Sequence, residues 1–522
     1  MSAASTHSEQ EKGQIAQEEY ADKSLDAPLL TKEEEKRILR KIDFKLVPFL
    51  SLLYLLSFLD RVNIGQAKLD NLVQDLHLKG QEYNIALVTF FVGYVITETP
   101  SNIALKKLRP SRWIPFIMIC WSVVMTLMGL VHNFAGLTAA RFFLGLAESG
   151  LFPGICFYLT MWYKRDEANL RISLFFSSAT LSGAFGGLLA YGLGKMEGVG
   201  GKPGWAWIFI IEGLLTFLVA CAAPFLMDDF PEDAKFLTAE EKVHVVRRLA
   251  EDQGAAGEAP FAWSHVNSAL KDWRTYMYMF IYIGVAEPLY SLALFTPTII
   301  SSLGAFTRAE SQLLSTPPYF LAFIVTLCSA LYSDRVKNRG LFNIFWMTIV
   351  VIGYAILCSI NPVEKPGVAY FAVFLCVCGV APSISNTITW AGNNMGPVYK
   401  RATGMGMMFT LGNSGGIVSS LVYFSQDSPR YVRGHAVGLG FAAMAVILSA
   451  VLHLNLKAEN ARRDREYGPA LSEFSQSGAN GAELVAKTQA HAELKRRLGL
   501  EGKSEEEIEA LGDRHPAFRY IP

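Results

Sequence analysis

Cysteine is scarce in this chain and badly placed for a framework. Seven cysteines (Cys120, Cys156, Cys221, Cys328, Cys358, Cys376 and Cys378) are scattered through 522 residues. The one close pair has C-x-C spacing, which is neither a zinc nor a redox spacing, so disulfides and bound metal are not expected. The sequence also lacks paired histidines inside apolar runs and a phosphate-cradling glycine loop. No cofactor is expected, and an enzyme is the class least compatible with these absences. Net charge is missing as well: 47 basic residues balance 47 acidic ones, with no arginine-rich arm, so nucleic acid is not an expected partner. The first ~40 residues are polar and hold no apolar core followed by a small-residue cleavage site, so no removable signal peptide is expected.

What the chain does have is apolar length. Hydrophobic residues make up 51% of it, segregated from the charged ones into blocks of about 20 residues, each long enough to cross about 30 Å of hydrocarbon as a helix. Twelve spans are expected near 44–66, 83–105, 112–132, 135–162, 170–193, 205–227, 274–302, 310–332, 341–360, 368–392, 402–424 and 434–456. The expected fold is an all-α polytopic membrane protein with two six-helix bundles, 44–227 and 274–456. Around them lie an N-terminal segment 1–43, a central loop 228–273 and a C-terminal tail 457–522.

Lys106, Lys107, Arg109 and Arg112 follow the second span, and Lys164 and Arg165 the fourth. Arg335, Lys337 and Arg339 follow the eighth, and Lys400 and Arg401 the tenth. The alternate loops are poorer in Lys and Arg, so both termini and the central loop are expected in the cytosol. Capping-box spacings at Thr31 and Glu34 and at Thr238 and Glu241 predict a short amphipathic helix leading into the first span and a surface helix in the central loop, ending at Gly254.

The halves look related. A shift of 230 residues lays "RISLFFSSATLSGAFGG" (171–187) on "RATGMGMMFTLGNSGGI" (401–417), matching Arg171 with Arg401, Thr180 with Thr410 and Gly186 with Gly416. Both segments carry GxxxG, at Gly183 and Gly187 and at Gly412 and Gly416, a spacing that lets helix backbones approach closely in lipid.

Charges inside the spans are the chemical signal. In "SFLDRVNIGQAKL" (57–69), Asp60 lies about 24 Å along its helix, past the bilayer centre. A charge there costs at least about 2.5 kcal/mol unless it faces the bundle interior or a wet cavity. In the fourth span Arg141 and Glu148 are two turns apart on one helix face. A buried guanidinium can grip both oxygens of a carboxylate, and a buried acid beside it can change its protonation with what is bound. Arg61 and Arg141 therefore suit an organic anion, and Asp60 and Glu148 suit coupled protons. Internal salt bridges remain the alternative for both pairs, and for Glu98 and Glu212, nearer span ends, the structural reading is favoured.

"SLLYLLSFLDRVNIGQAKL", "RFFLGLAESGLFPG", "GWAWIFIIEGLLT" and "FPEDAKFLTAEEK" resemble the fungal allantoate and nicotinate permease group, within the anion:cation symporter family of the major facilitator superfamily. The likeness runs from Lys41 to "GDRHPAFRYIP". It implies a proton-coupled uptake permease for small carboxylates in a fungal plasma membrane. It also places proton coupling and anion binding on Asp60, Arg61, Arg141 and Glu148. Of the superfamily's gating motif, "SDRVKNRG" retains Asp334, Arg335 and Arg339, whereas "KKLRPSRW" lacks the acid.

The expected protein is a monomeric transporter with a midplane site that opens alternately to either side. Arg61 would bind the anion beside Asn63, with Tyr290, Asn386, Trp390 and Asn393 on the far wall; the aromatic rings suit a flat ring such as pyridine. Glu287 would contact an amino or amide group or bind another proton, or else it is an acid bonded to a neighbouring helix. An exporter and a non-transporting sensor are the alternative functions.

Overall fold

The computed structural model describes residues 31–253, 263–304, 306–336, 338–396 and 398–467, and in the tail 496, 499, 502, 513, 515, 516 and 518–522. The first 30 residues, Gly254, Lys337 and most of the tail lie outside the described residues.

Among the described residues, twelve helices make up the two bundles, in the order expected. In the first half they are α1 (Lys32–Val62), α2 (Glu82–Lys107), α3 (Pro110–Met128), α4 (Phe134–Glu148), α5 (Arg165–Gly194) and α6 (Gly204–Leu226). The second half has α7 (Trp273–Ser301), α8 (Thr316–Val336), α9 (Arg339–Ser359), α10 (Pro366–Asn394), α11 (Val398–Ser420) and α12 (Val432–Tyr467). Ten spans among the described residues are long and apolar enough to cross a membrane. The two long helices outside that set are α2 and α11. They meet each other where the halves join, and there polar and small residues replace aliphatic ones.

Local signals account for the helix ends. Thr31 and Glu34 form the capping box that starts α1, Pro110 opens α3 where its missing N–H is no loss, and Asn133 caps α4 by accepting from the Gly136 N–H at 2.8 Å. Two helices are interrupted. After Val62, α1 breaks at Asn63 and resumes as Ile64–Leu69; after Glu148, α4 breaks at Ser149 and Gly150 and resumes as Leu151–Thr160. Each break falls beside a charged residue singled out by the sequence.

The bundles meet along α2 with α11 and α5 with α8. Here the GxxxG glycines find their purpose. A Cβ on Gly187 would stand 2.4 Å from the Gln312 carbonyl oxygen, and one on Gly416 would stand 2.1 Å from the Phe91 ring. Three of the four glycines, Gly183, Gly187 and Gly416, therefore serve approach between the halves, while Gly412 admits Tyr282 of its own half.

The central segment and both described chain ends lie at one face, called here the near face. The central segment carries two helices, Ala239–Gln253 and Trp263–Lys271. The first docks on the first bundle through Arg248 with Glu167 (2.8 Å) and Lys41 with Glu241 (2.7 Å). Partial burial acts to raise the Glu241 pKa, but hydrogen bonds from Lys41 and the Thr238 N–H outweigh it and hold the carboxyl below its ordinary value.

Candidate functional site

Asp60 and Arg61, adjacent in the chain, enter two separate networks. Arg61 turns toward α4. Its Nε and Nη2 donate to Glu148 Oε1 at 3.0 and 2.6 Å, and the Ser57 hydroxyl donates to the same oxygen at 2.6 Å. The guanidinium is walled by rings, 4.9 Å from the Tyr94 centroid, 5.6 Å from Phe58 and 5.7 Å from Phe90. Arg141 approaches from the same helix as Glu148 but pairs with no acid among the described residues. Its Nη2 donates to the Arg61 carbonyl oxygen at 3.2 Å. That carbonyl is in the last turn of α1, where helical acceptors lose their partners. Nε and Nη1 of Arg141 have no hydrogen-bond partner, although the residue is fully buried.

Arg61, Arg141 and Glu148 thus lie together, and the pairing seen is neither of the within-helix pairs, Asp60 with Arg61 or Arg141 with Glu148, considered from the sequence. Glu148 belongs to Arg61, and Arg141 keeps unused donors beside them. In this arrangement Arg61 faces an acid rather than open space.

Asp60 turns the other way. Its Oδ2 accepts from Trp121 Nε1 of α3 at 3.1 Å and from the Thr216 hydroxyl of α6 at 2.9 Å. Asn63, expected to touch substrate, instead donates from Nδ2 to Glu212 Oε2 at 2.7 Å.

On the second bundle, Tyr290 faces the seam, its ring 5.0 Å from Phe91. Its hydroxyl donates to Asn413 Oδ1 at 2.7 Å, and Asn413 Nδ2 donates across the seam to both Glu98 oxygens at 3.1 and 3.2 Å. Sequence reasoning passed over Asn413, although an asparagine inside the repeated α11 segment was the available signal. Glu287 is fully buried and accepts from Ser291 of its own helix at 2.7 Å, so it does not join the Arg61 network.

The far wall expected on α10 needs correcting. Trp390 lies 24 residues, about 36 Å, from the start of α10, at the near face rather than the midplane. Its Nε1 donates to the Ile521 carbonyl of the tail at 2.8 Å. Asn393 lies three residues further toward that face. Asn386 Nδ2 donates to the Arg339 carbonyl at 2.8 Å, and its Oδ1 accepts from Ser333 at 3.1 Å. Asn386 thus shares the network of the expected gating residues, where Arg339 pairs with Asp334 while Arg335 is exposed. In the first half the acid missing from "KKLRPSRW" comes from beyond α6: Arg109 stands 3.5 Å from Asp229, whose Oδ1 accepts from the Ser111 N–H at 2.8 Å.

The charged cluster is enclosed on both sides. Toward the near face, Phe152 packs edge-on against Phe409 of the second bundle at 5.3 Å, with Tyr54 5.5 Å from Phe152 and Tyr282 5.7 Å from Phe409. Toward the opposite face, Gln66 donates to Ser315 (3.2 Å), Gln312 donates to Asp70 (3.2 Å) and Arg308 pairs with Asp70 (3.3 Å). Two bundles closed over buried charges, with a thin aromatic layer on one side and a polar latch on the other, give the architecture of a two-bundle membrane transporter.

Comparison with known proteins agrees. Residues 50–420 match the Major Facilitator Superfamily, and the chain belongs to that family. It is 37% identical over 85% of its length to an uncharacterized transporter of Schizosaccharomyces pombe, covering 88% of that protein. It is 33% identical over 82% of its length to the high-affinity nicotinic acid transporter of Saccharomyces cerevisiae, covering 79% of it. Among solved structures, a bacterial homolog of the human lysosomal transporter Spinster shares the fold, with a TM-score of 0.59 at 14% identity, over 81% of this chain and 97% of that one. The protein is a multi-pass membrane transporter and not an enzyme.

Proposed function

We propose that this transporter takes up a small organic carboxylate together with protons, in the manner of an anion:cation symporter, as a monomer in the plasma membrane. One observation carries the reading: two guanidinium groups, Arg61 and Arg141, meet in the membrane interior with a single carboxylate, Glu148, in ion-pair contact, and Arg141 retains two unused nitrogens. A buried cation without an acid is costly, and an incoming carboxylate satisfies it.

The Arg61–Glu148 pair supplies a coupling device. A proton on Glu148 removes the charge that holds Arg61 and leaves the guanidinium able to bind the substrate carboxylate. Tyr290 and Tyr94 offer flat surfaces for an aromatic acid such as nicotinate, whose name among the relatives supports that substrate class. Reopening requires the Phe152–Phe409 contact or the Asp70 latch to part, with Asp334 and Arg339 acting at the near face. Arg109, Lys164, Arg335, Arg339, Lys400 and Arg401 all stand at that face, which supports a cytosolic orientation for it. One surplus proton charge then gains about 2.3 kcal/mol per 100 mV of membrane potential.

Purified protein in liposomes with an imposed proton gradient tests this, using labelled nicotinate beside allantoate, pantothenate and dicarboxylates. Accumulation of one acid, stimulated by acid on the uptake side and abolished by a protonophore, is expected. Gradient-driven efflux alone would make the protein an exporter, and binding without flux would make it a sensor.

A further inference from the structure

Glu212 sits outside every role assigned above, yet it is fully built into the neighbourhood of Asp60. Two hydrogen bonds run as adjacent rungs between α1 and α6: Thr216 to Asp60 at 2.9 Å, and Asn63 to Glu212 at 2.7 Å. Glu212 and Thr216 are one turn apart on α6, and Asp60 and Asn63 are three residues apart on α1. The two carboxyls therefore lie on neighbouring rungs, about one helical turn apart, between the same helices, each at or below 1% exposure.

The groups facing this pair are Trp121 from α3, Thr216 from α6 and Asn63 from the break in α1. Glu148 of α4 adds a further acid nearby, but it is engaged by Arg61, and neither Arg61 nor Arg141 donates to Asp60 or Glu212. Three acceptor oxygens here, Asp60 Oδ1, Glu212 Oε1 and Asn63 Oδ1, have no donor among the described residues. Two carboxylates without a cation in an apolar interior cannot both stay ionised, and a carboxyl O–H supplies one of the donors these acceptors lack. One proton carried by the pair meets the first condition and part of the second.

We infer that Asp60 and Glu212 form a coupled acid dyad that carries one proton, with Glu212 positioning and tuning the proton on Asp60. This rests on the proton-coupled reading above and adds the partner acid to it. The dyad also touches the point where the hydrogen-bond ladder of α1 is interrupted. Asn63 keeps helical backbone angles there and is held by Glu212, so gain or loss of the proton alters the grip on the segment Ile64–Leu69 that leads to the Asp70 latch.

Infrared pH titration of carboxyl C=O bands tests the dyad on purified protein without any substrate, so a wrong choice of substrate leaves the result intact. Wild type, Asp60→Asn, Glu212→Gln and the double variant are compared, with Glu98→Gln as a control acid. Interacting acids lose their protons in steps that belong to the pair, so removing Glu212 is expected to move the Asp60 step by at least about one pH unit, a tenfold change in proton affinity. An Asp60 step that is the same with and without Glu212 overturns the dyad. In liposomes, Glu212→Asp is expected to keep acid-stimulated uptake and Glu212→Gln to flatten the pH profile. Equal losses in both variants with the profile unchanged would make Glu212 a packing residue and contradict the inference.

Discussion

Arg61 places both Nε and Nη2 on one oxygen of Glu148, at 3.0 and 2.6 Å, and leaves the second oxygen of that carboxylate without a partner. On the proposed coupling, this uncovered oxygen is the one that takes the proton which frees Arg61.

Glu148→Gln imitates the protonated state permanently. Uptake of the carried acid is expected to persist in exchange for internal substrate while losing its response to pH, because Arg61 is no longer released by a proton. Parallel uptake and exchange assays across a pH series check this; a pH profile like that of wild type would remove Glu148 from coupling.

Arg141→Lys keeps the charge but not the fork. On the proposed role of Nε and Nη1 as donors to the substrate carboxylate, the change is expected to weaken apparent affinity about 10- to 100-fold, as one or two charge-assisted hydrogen bonds are lost. Concentration dependence of uptake measures it, and an unaltered half-saturation would place Arg141 outside the site.

Gly187→Ala introduces a methyl group 2.4 Å from the backbone oxygen of Gln312, which no side-chain rotation relieves. The expected result is normal folding of each bundle with an α5–α8 seam that cannot close, and so reduced flux. Thiol labelling of a cysteine placed beside Ser315 reports it: labelling should rise in the variant, and unchanged labelling would contradict the close approach.

Tyr520→Ala tests a feature that the sequence marked only through the resemblance of "GDRHPAFRYIP", a tail fastened to the near face of the second bundle. Tyr520 is 3% exposed; Arg274 donates to its hydroxyl at 2.6 Å, and the Asn460 side chain bonds its backbone. Loss of a buried ring and its bonds is expected to cost about 2–4 kcal/mol, seen as a lower thermal midpoint in detergent. An unmoved midpoint would show that the docking contributes nothing to stability.

The twelve helices were legible because a span must be long and apolar, and intramembrane charges were legible because burying them is costly. Their pairing was not. Helix periodicity put Arg141 and Glu148 on one face, but their partners come from another helix: Arg141 bonds the Arg61 carbonyl, and Arg61 takes Glu148. Trp390 and Asn386 looked like site residues because they are polar within an apolar run. Depth decides otherwise: their end of α10 lies at the near face, among the gating residues and the tail. Glu98 and Asn413 meet across 315 positions of sequence, a contact that no local pattern encodes.

The central claim is that two buried guanidinium groups recognise a carboxylate. Its most direct measurement is the thermal midpoint of purified protein with nicotinate and with nicotinamide, the same ring without the charge, repeated with the other acids of the uptake panel. Wild type should be stabilised by at least one acid and not by its neutral amide, and Arg61→Ala, still expressed at the membrane, should lose at least about 100-fold in affinity, or about 2.7 kcal/mol. Equal stabilisation by acid and amide, or full binding of the acid by Arg61→Ala, would contradict it.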